Sequence, residues 1–262
     1  MIAGMSISGG EALFCAALGV SWLNSALHVL WADRPMYAVS GPELTRPVEM
    51  RRAAILAVAS AVFVATVWAW AASGWPRVGA IAVLLTMIAL RQWETRQWEG
   101  DIVVRLGKYV PTAACLTGWV IAASITRWMG WEEAASVDAG WQAACGVLAA
   151  IYALAGASKV RLTGWGWGSW GHQALLIAER AYTGPMWVRR VRAWAGRSPR
   201  VCAVVGGFGL VSEGLCAFYV VPDLRAVLTG AVLSLHAGIV LLLGYVEPEW
   251  YLLMIALTVI TG

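Results

Sequence analysis

The chain has 262 residues, 60% of them hydrophobic and 13% charged, with a mean hydropathy of +0.68 and a net charge of +4. Soluble domains carry about 25% charged residues, so this much apolar surface requires lipid as part of its solvent. The modest positive charge fits basic loops better than nucleic-acid binding, because no basic face interleaved with exposed aromatics is visible.

Eight runs have the apolar length expected of a spanning helix, which needs about 20 residues. They cover about 11–31, 53–74, 76–91, 109–127, 140–159, 201–221, 224–244 and 248–262. No basic residue precedes the first run, so it reads as a permanent span rather than a signal peptide. The third run is short. The expected fold is therefore all-α: a single polytopic membrane domain of about eight transmembrane helices over residues 1–262. The 17 tryptophans fit that solvent, since indole is favoured at both membrane–water interfaces.

All but Arg77, Arg127 and Arg225 of the 19 lysines and arginines fall after the first, third and fifth runs. The positive-inside rule then places those loops in the cytoplasm and the chain in a plasma-type membrane. The loop at 128–139 is instead acidic, with Glu132, Glu133 and Asp138. Ala149, Ala153 and Ala157 recur every four residues in the fifth run, and Ala203 and Gly207 repeat the spacing in the sixth. Small residues at that spacing let helix backbones approach closely. The five cysteines all lie in apolar stretches without CxxC spacing. They read as small buried residues rather than metal ligands or a redox pair.

The connection after the fifth run is more than a loop. In "GASKVRLTGWGWGSWGHQAL", residues 156–175, Gly164, Gly166 and Gly168 interrupt any continuing helix. Ser169 can cap a new helix to about residue 182. That helix would carry Trp170, Ala174, Ile177 and Ala181 on one side and His172 and Glu179 on another, as an interfacial helix does. Residues 187–200 follow as a basic amphipathic arm.

Charge inside a span costs about 2.5–3.5 kcal/mol on insertion scales, so it calls for a reason. Glu213 and His236 fall near the middle of the sixth and seventh runs, at depths that permit a hydrogen-bonded pair. His28 and Lys159 fall near the ends of the first and fifth. Each has a plain reading beside a chemical one. Lys159 can snorkel to headgroups, and His172 can be an ordinary interfacial side chain. His28, and Glu213 with His236, can be structural contacts. Trp165, Trp167 and Trp170 can form an interfacial belt or an aromatic box around a cofactor.

The order of these features resembles the vitamin K-dependent γ-carboxylase-like family, also called the horizontally transferred transmembrane domain family. "YALAGASKV", residues 152–160, with the Trp- and Gly-containing turn after it, resembles that family's lysine segment. "VSEGLCAFYVVPDLRAVLTGAVLSLHAGIVLLLG", residues 211–244, resembles its late helix pair, with Glu213, Pro222, Arg225 and His236 in order. The resemblance covers about residues 145–262. It implies a membrane enzyme in which Lys159 is a base acting with a reduced quinone on a peptide or small molecule, with His172, Glu213 and His236 shaping the site. The alternatives are a non-enzymatic membrane subunit that assembles with, matures or exports a partner protein, and a proton-coupled transporter. The expected partners are membrane lipids and a peptide substrate or membrane protein. No metal and no nucleic acid are expected.

Overall fold

The computed structural model describes residues 10, 12–21, 58, 61–69, 102–179, 184–244 and 248–262. Among them there is helix and no strand. In chain order the helices are α1 (Ala12–Ser21), α2 (61–69), α3 (Ile102–Trp128), α4 (Glu133–Thr163), α5 (Trp170–Glu179), α6 (Met186–Arg197), α7 (Pro199–Leu215), α8 (Pro222–Leu243) and α9 (Pro248–Thr261). Short 3-10 segments, Gly164–Gly168 and Cys216–Val220, extend α4 and α7. Among the described residues, three helical stretches are long and apolar enough to cross a membrane: Glu133–Gly168, Pro199–Val220 and Pro222–Leu243. At 1.5 Å per residue, the 22 residues of α8 run about 33 Å, against a hydrocarbon core of about 30 Å. The expected span 76–91, most of 53–74, the second half of 11–31, and His28 lie outside the described residues.

The chain divides into two compact units, Met1–Ala144 with Pro248–Thr261, and Cys145–Glu247 with Gly262. In the first, α3 and the start of α4 form an antiparallel hairpin. Gly130 makes its turn in the left-handed region (φ 89°), where a side chain would be strained. The packing is aromatic: Trp141 meets the edges of Phe14 and Trp119 at 5.0 and 5.7 Å between ring centroids. A Cβ on Gly140 would lie 2.8 Å from the Trp119 indole, so only glycine admits that ring. Ser21 and Thr112 share a buried 3.0 Å hydrogen bond between α1 and α3.

Two expectations in this unit change. Arg105 and Lys108 lie on α3 rather than in a loop; both are good helix formers, and the helix carries on through Gly107 and Pro111. The acidic loop is shorter than expected because α4 starts at Glu133. Acidic groups favour a helix N-terminus, where the macrodipole is positive.

In the second unit, α5 and α6 pack on α7 and α8. Ile177, Ala195, Cys202 and Leu242 form the buried centre of that contact. Helices α7 and α8 have local start signals. Ser198 caps α7 by accepting from the Val201 N–H, with Pro199 in its first turn. Pro222 opens α8, and Gly244 ends it in the left-handed region (φ 73°).

The basic arm proves to be an ordered helix with one arginine turned inward. Arg192 is only 4% exposed. Its Nε donates to the Leu241 carbonyl at 2.8 Å, at the last turn of α8. Arg225, assigned from sequence to a loop, is 1% exposed and donates to the Tyr219 and Val220 carbonyls at 3.0 and 3.1 Å. Helix C-termini leave carbonyls without intrahelical partners, and in apolar surroundings each costs several kcal/mol. Two buried guanidiniums satisfy them here.

Candidate functional site

The site grows from one face of α4. Tyr152, Gly156 and Lys159 are spaced four and three apart, so they stand above one another on a helix. Gly156 sets the spacing to α7. A Cβ there would lie 3.2 Å from the Glu213 Cβ and 3.3 Å from the Gly214 amide nitrogen. The small-residue contact thus runs through Gly156, with Ala149 buried but Ala157 exposed. On α7 it runs through Gly206 rather than Ala203 or Gly207. A Cβ on Gly206 would come within 2.7 Å of the Gly168 Cα, whereas Ala203 is exposed.

That close approach brings Lys159 and Glu213 into a direct hydrogen-bonded ion pair between α4 and α7. The Glu213 side chain is 8% exposed and that of Lys159 25%. Glu213 Oε1 takes the lysine; Oε2 is buried with no hydrogen-bond partner among the described residues. A half-satisfied buried carboxylate is costly in low dielectric, and it leaves an acceptor available to a ligand that donates a hydrogen bond.

The broken segment after α4 folds beside this pair. Lys159 Nζ lies 5.1 Å from the centroid of the Trp167 ring, within cation–π range. His172 stands against the same indole, 4.5 Å between centroids, and its Nε2 is buried with no hydrogen-bond partner among the described residues. Gln173 Nε2 donates to the Trp167 carbonyl at 2.7 Å and anchors the 3-10 turn to α5. The three tryptophans therefore separate. Trp167 joins the lysine, Trp170 donates from its indole nitrogen to the Gly196 carbonyl at 3.2 Å, and Trp165 is 82% exposed. They do not form one box.

Glu213 and His236, whose depths permit a pair, have different partners. Glu213 takes Lys159, and His236 Nε2 meets the buried Tyr152 hydroxyl at 2.7 Å. Two polar couples, Lys159–Glu213 and Tyr152–His236, thus lie two turns apart along α4, both between apolar helices. Tyr152 was missed in the sequence. Its signal was the seven-residue spacing to Lys159, but a tyrosine in an apolar helix reads equally well as packing.

Chemically, the site offers one cation, one carboxylate with a spare lone pair, two imidazoles and an indole face. All five cysteines are buried. Among the described residues no cluster of three His, Cys, Asp or Glu side chains is placed to hold a metal ion. Comparisons with protein-family models, curated proteins and solved structures found no match, so the reading of this site rests on its own geometry.

Proposed function

We propose that the protein is an integral membrane enzyme in which the Lys159–Glu213 pair moves protons for a lipid-soluble, quinol-type reactant and a peptide or small-molecule substrate. The carrying observation is the buried pair between α4 and α7, with Glu213 Oε2 unpartnered beside it. Charges in a span are costly and mark sites of function by default. A lysine confined to a snorkelling role would reach for headgroups; here it is held by a carboxylate and an indole.

The chain's own residues suit such a reactant. Glu213 Oε2 would accept a hydrogen bond from a hydroxyl, and the Trp167 face would pack on an aromatic ring. When bound, a reduced quinone supplies reducing equivalents. Lys159 would then serve as the acid–base group: its ammonium gives a proton to one reactant, the amine so formed takes a proton from the substrate, and the ion pair with Glu213 is restored. Geometry of this kind is the first requirement of a general base. His172 and His236 with Tyr152 orient the walls of the site. The membrane setting extends to about eight spans, with the basic loops on the cytoplasmic side and α5 lying along the interface.

Anaerobic binding of a reduced quinone to the purified protein, then exposure to oxygen, tests the reading. Wild type should bind and consume the quinol, and Lys159→Ala, with its fold checked by thermal unfolding, should bind without turnover. No binding and no turnover in wild type would favour a non-enzymatic subunit that handles a partner protein. Proton uptake coupled to solute flux in vesicles would instead favour a transporter.

A further inference from the structure

Between Glu179 and Glu213 the chain carries six arginines and no acidic residue. Helix α6 carries four of them, in two groups. One face packs inward through Val188, Arg192 and Ala195, and Arg192 is engaged by the carbonyls ending α8. The opposite face runs Trp187, Arg190, Trp194, Arg197, at spacings of three, four and three, which is a single stripe of a helix. All four are exposed; the two tryptophans are 62% and 63% exposed. Arg200 is exposed just beyond. Arg189 flanks the stripe with its Nε buried and with no hydrogen-bond partner among the described residues. Its Nη2 donates to the Met186 sulfur at 3.6 Å, a weak acceptor.

The position of this stripe matters as much as its charge. Helix α6 ends at Ser198, the cap of α7, and Arg192 ties it to the last turn of α8. It therefore sits at the end where one apolar helix begins and its antiparallel neighbour finishes. That is where the phosphates of a bilayer would lie. Indole favours this layer, and arginine matches phosphate oxygens with its planar fork of donors.

We infer that the Trp187–Arg190–Trp194–Arg197 face of α6, with Arg189 and Arg200 at its margins, is a binding site for anionic phospholipid headgroups. The arginines hold the phosphate, and the two indoles pack beside the glycerol and upper acyl chain. The site is separate from the Lys159–Glu213 pair and stands whether or not that pair is catalytic.

The test is equilibrium binding of short-chain phosphatidylglycerol to the full chain purified in neutral detergent, read by native mass spectrometry. Wild type should retain phosphatidylglycerol in preference to phosphatidylcholine. Arg189→Gln, Arg190→Gln and Arg197→Gln together should weaken it about a hundredfold, from roughly fivefold per arginine near a membrane surface. Arg127→Gln, in the last turn of α3, should change nothing. Raising the salt supplies a check free of mutation: phosphatidylglycerol retention should fall while phosphatidylcholine retention holds. Equal retention of the two lipids, or a triple variant that binds as wild type, would overturn the assignment. So would inorganic phosphate displacing the lipid at equal concentration, which would mark a free-anion site. Equal displacement by an acidic peptide would assign the face to a protein partner and also overturn it.

Discussion

Lys159→Ala leaves Glu213 as a carboxylate 8% exposed with neither oxygen on its lysine partner. Removing one member of a buried pair costs 3–5 kcal/mol, and the quarter exposure of Lys159 places the expected loss at about 3 kcal/mol. The double variant Lys159→Met with Glu213→Leu removes both charges and should recover most of it. Unfolding of wild type and these two variants in one detergent measures the recovery; a double variant no more stable than Lys159→Ala would argue against a desolvated pair. Tyr152→Phe should cost about 1 kcal/mol by losing its buried bond to His236. The sequence marked Lys159, Glu213 and His236 because charge and imidazole are rare in apolar helices. It did not pair them, because Lys159 and Glu213 are 54 residues apart and depth alone makes Glu213 and His236 look matched.

Among the elements, the glycines of the site are set by contact rather than by turn chemistry. Gly206→Ala would place a Cβ 2.7 Å from the Gly168 Cα, backbone against backbone, and should cost about 1–3 kcal/mol as overpacking does. Gly207→Ala, with nothing within 4 Å, is the matched control and should cost far less. Arg192→Leu removes the donors to the Val240 and Leu241 carbonyls and should cost about 1.5–3 kcal/mol, the worth of a hydrogen bond to a charged group. A Tm series on these three variants orders them. The helices of the second unit were legible because apolar length, Pro199, Pro222 and the glycine run are local signals. The inward turn of Arg192 and Arg225 was not. Counting charge by loop treats every arginine as solvated, and capping of another element's carbonyls has no local signature.

At the scale of the molecule, the three long apolar stretches make a membrane setting the natural frame, and the proposal puts the basic loops on the cytoplasmic side. Ser198 and Asp223 stand at opposite ends of the Pro199–Val220 stretch. In intact cells, a membrane-impermeant maleimide should label Asp223→Cys but reach Ser198→Cys only after lysis. The five native cysteines are buried and give a low background. Reversed labelling would invert the orientation without touching the site. The most direct test of the central claim is chemical rescue of Lys159→Ala. The account predicts that quinol turnover, lost in this variant, returns on adding small alkylamines, with a rate that follows amine basicity, because a free amine can occupy the space beside Glu213. Turnover that persists in Lys159→Ala without added amine would contradict a role for Lys159 as the acid–base group.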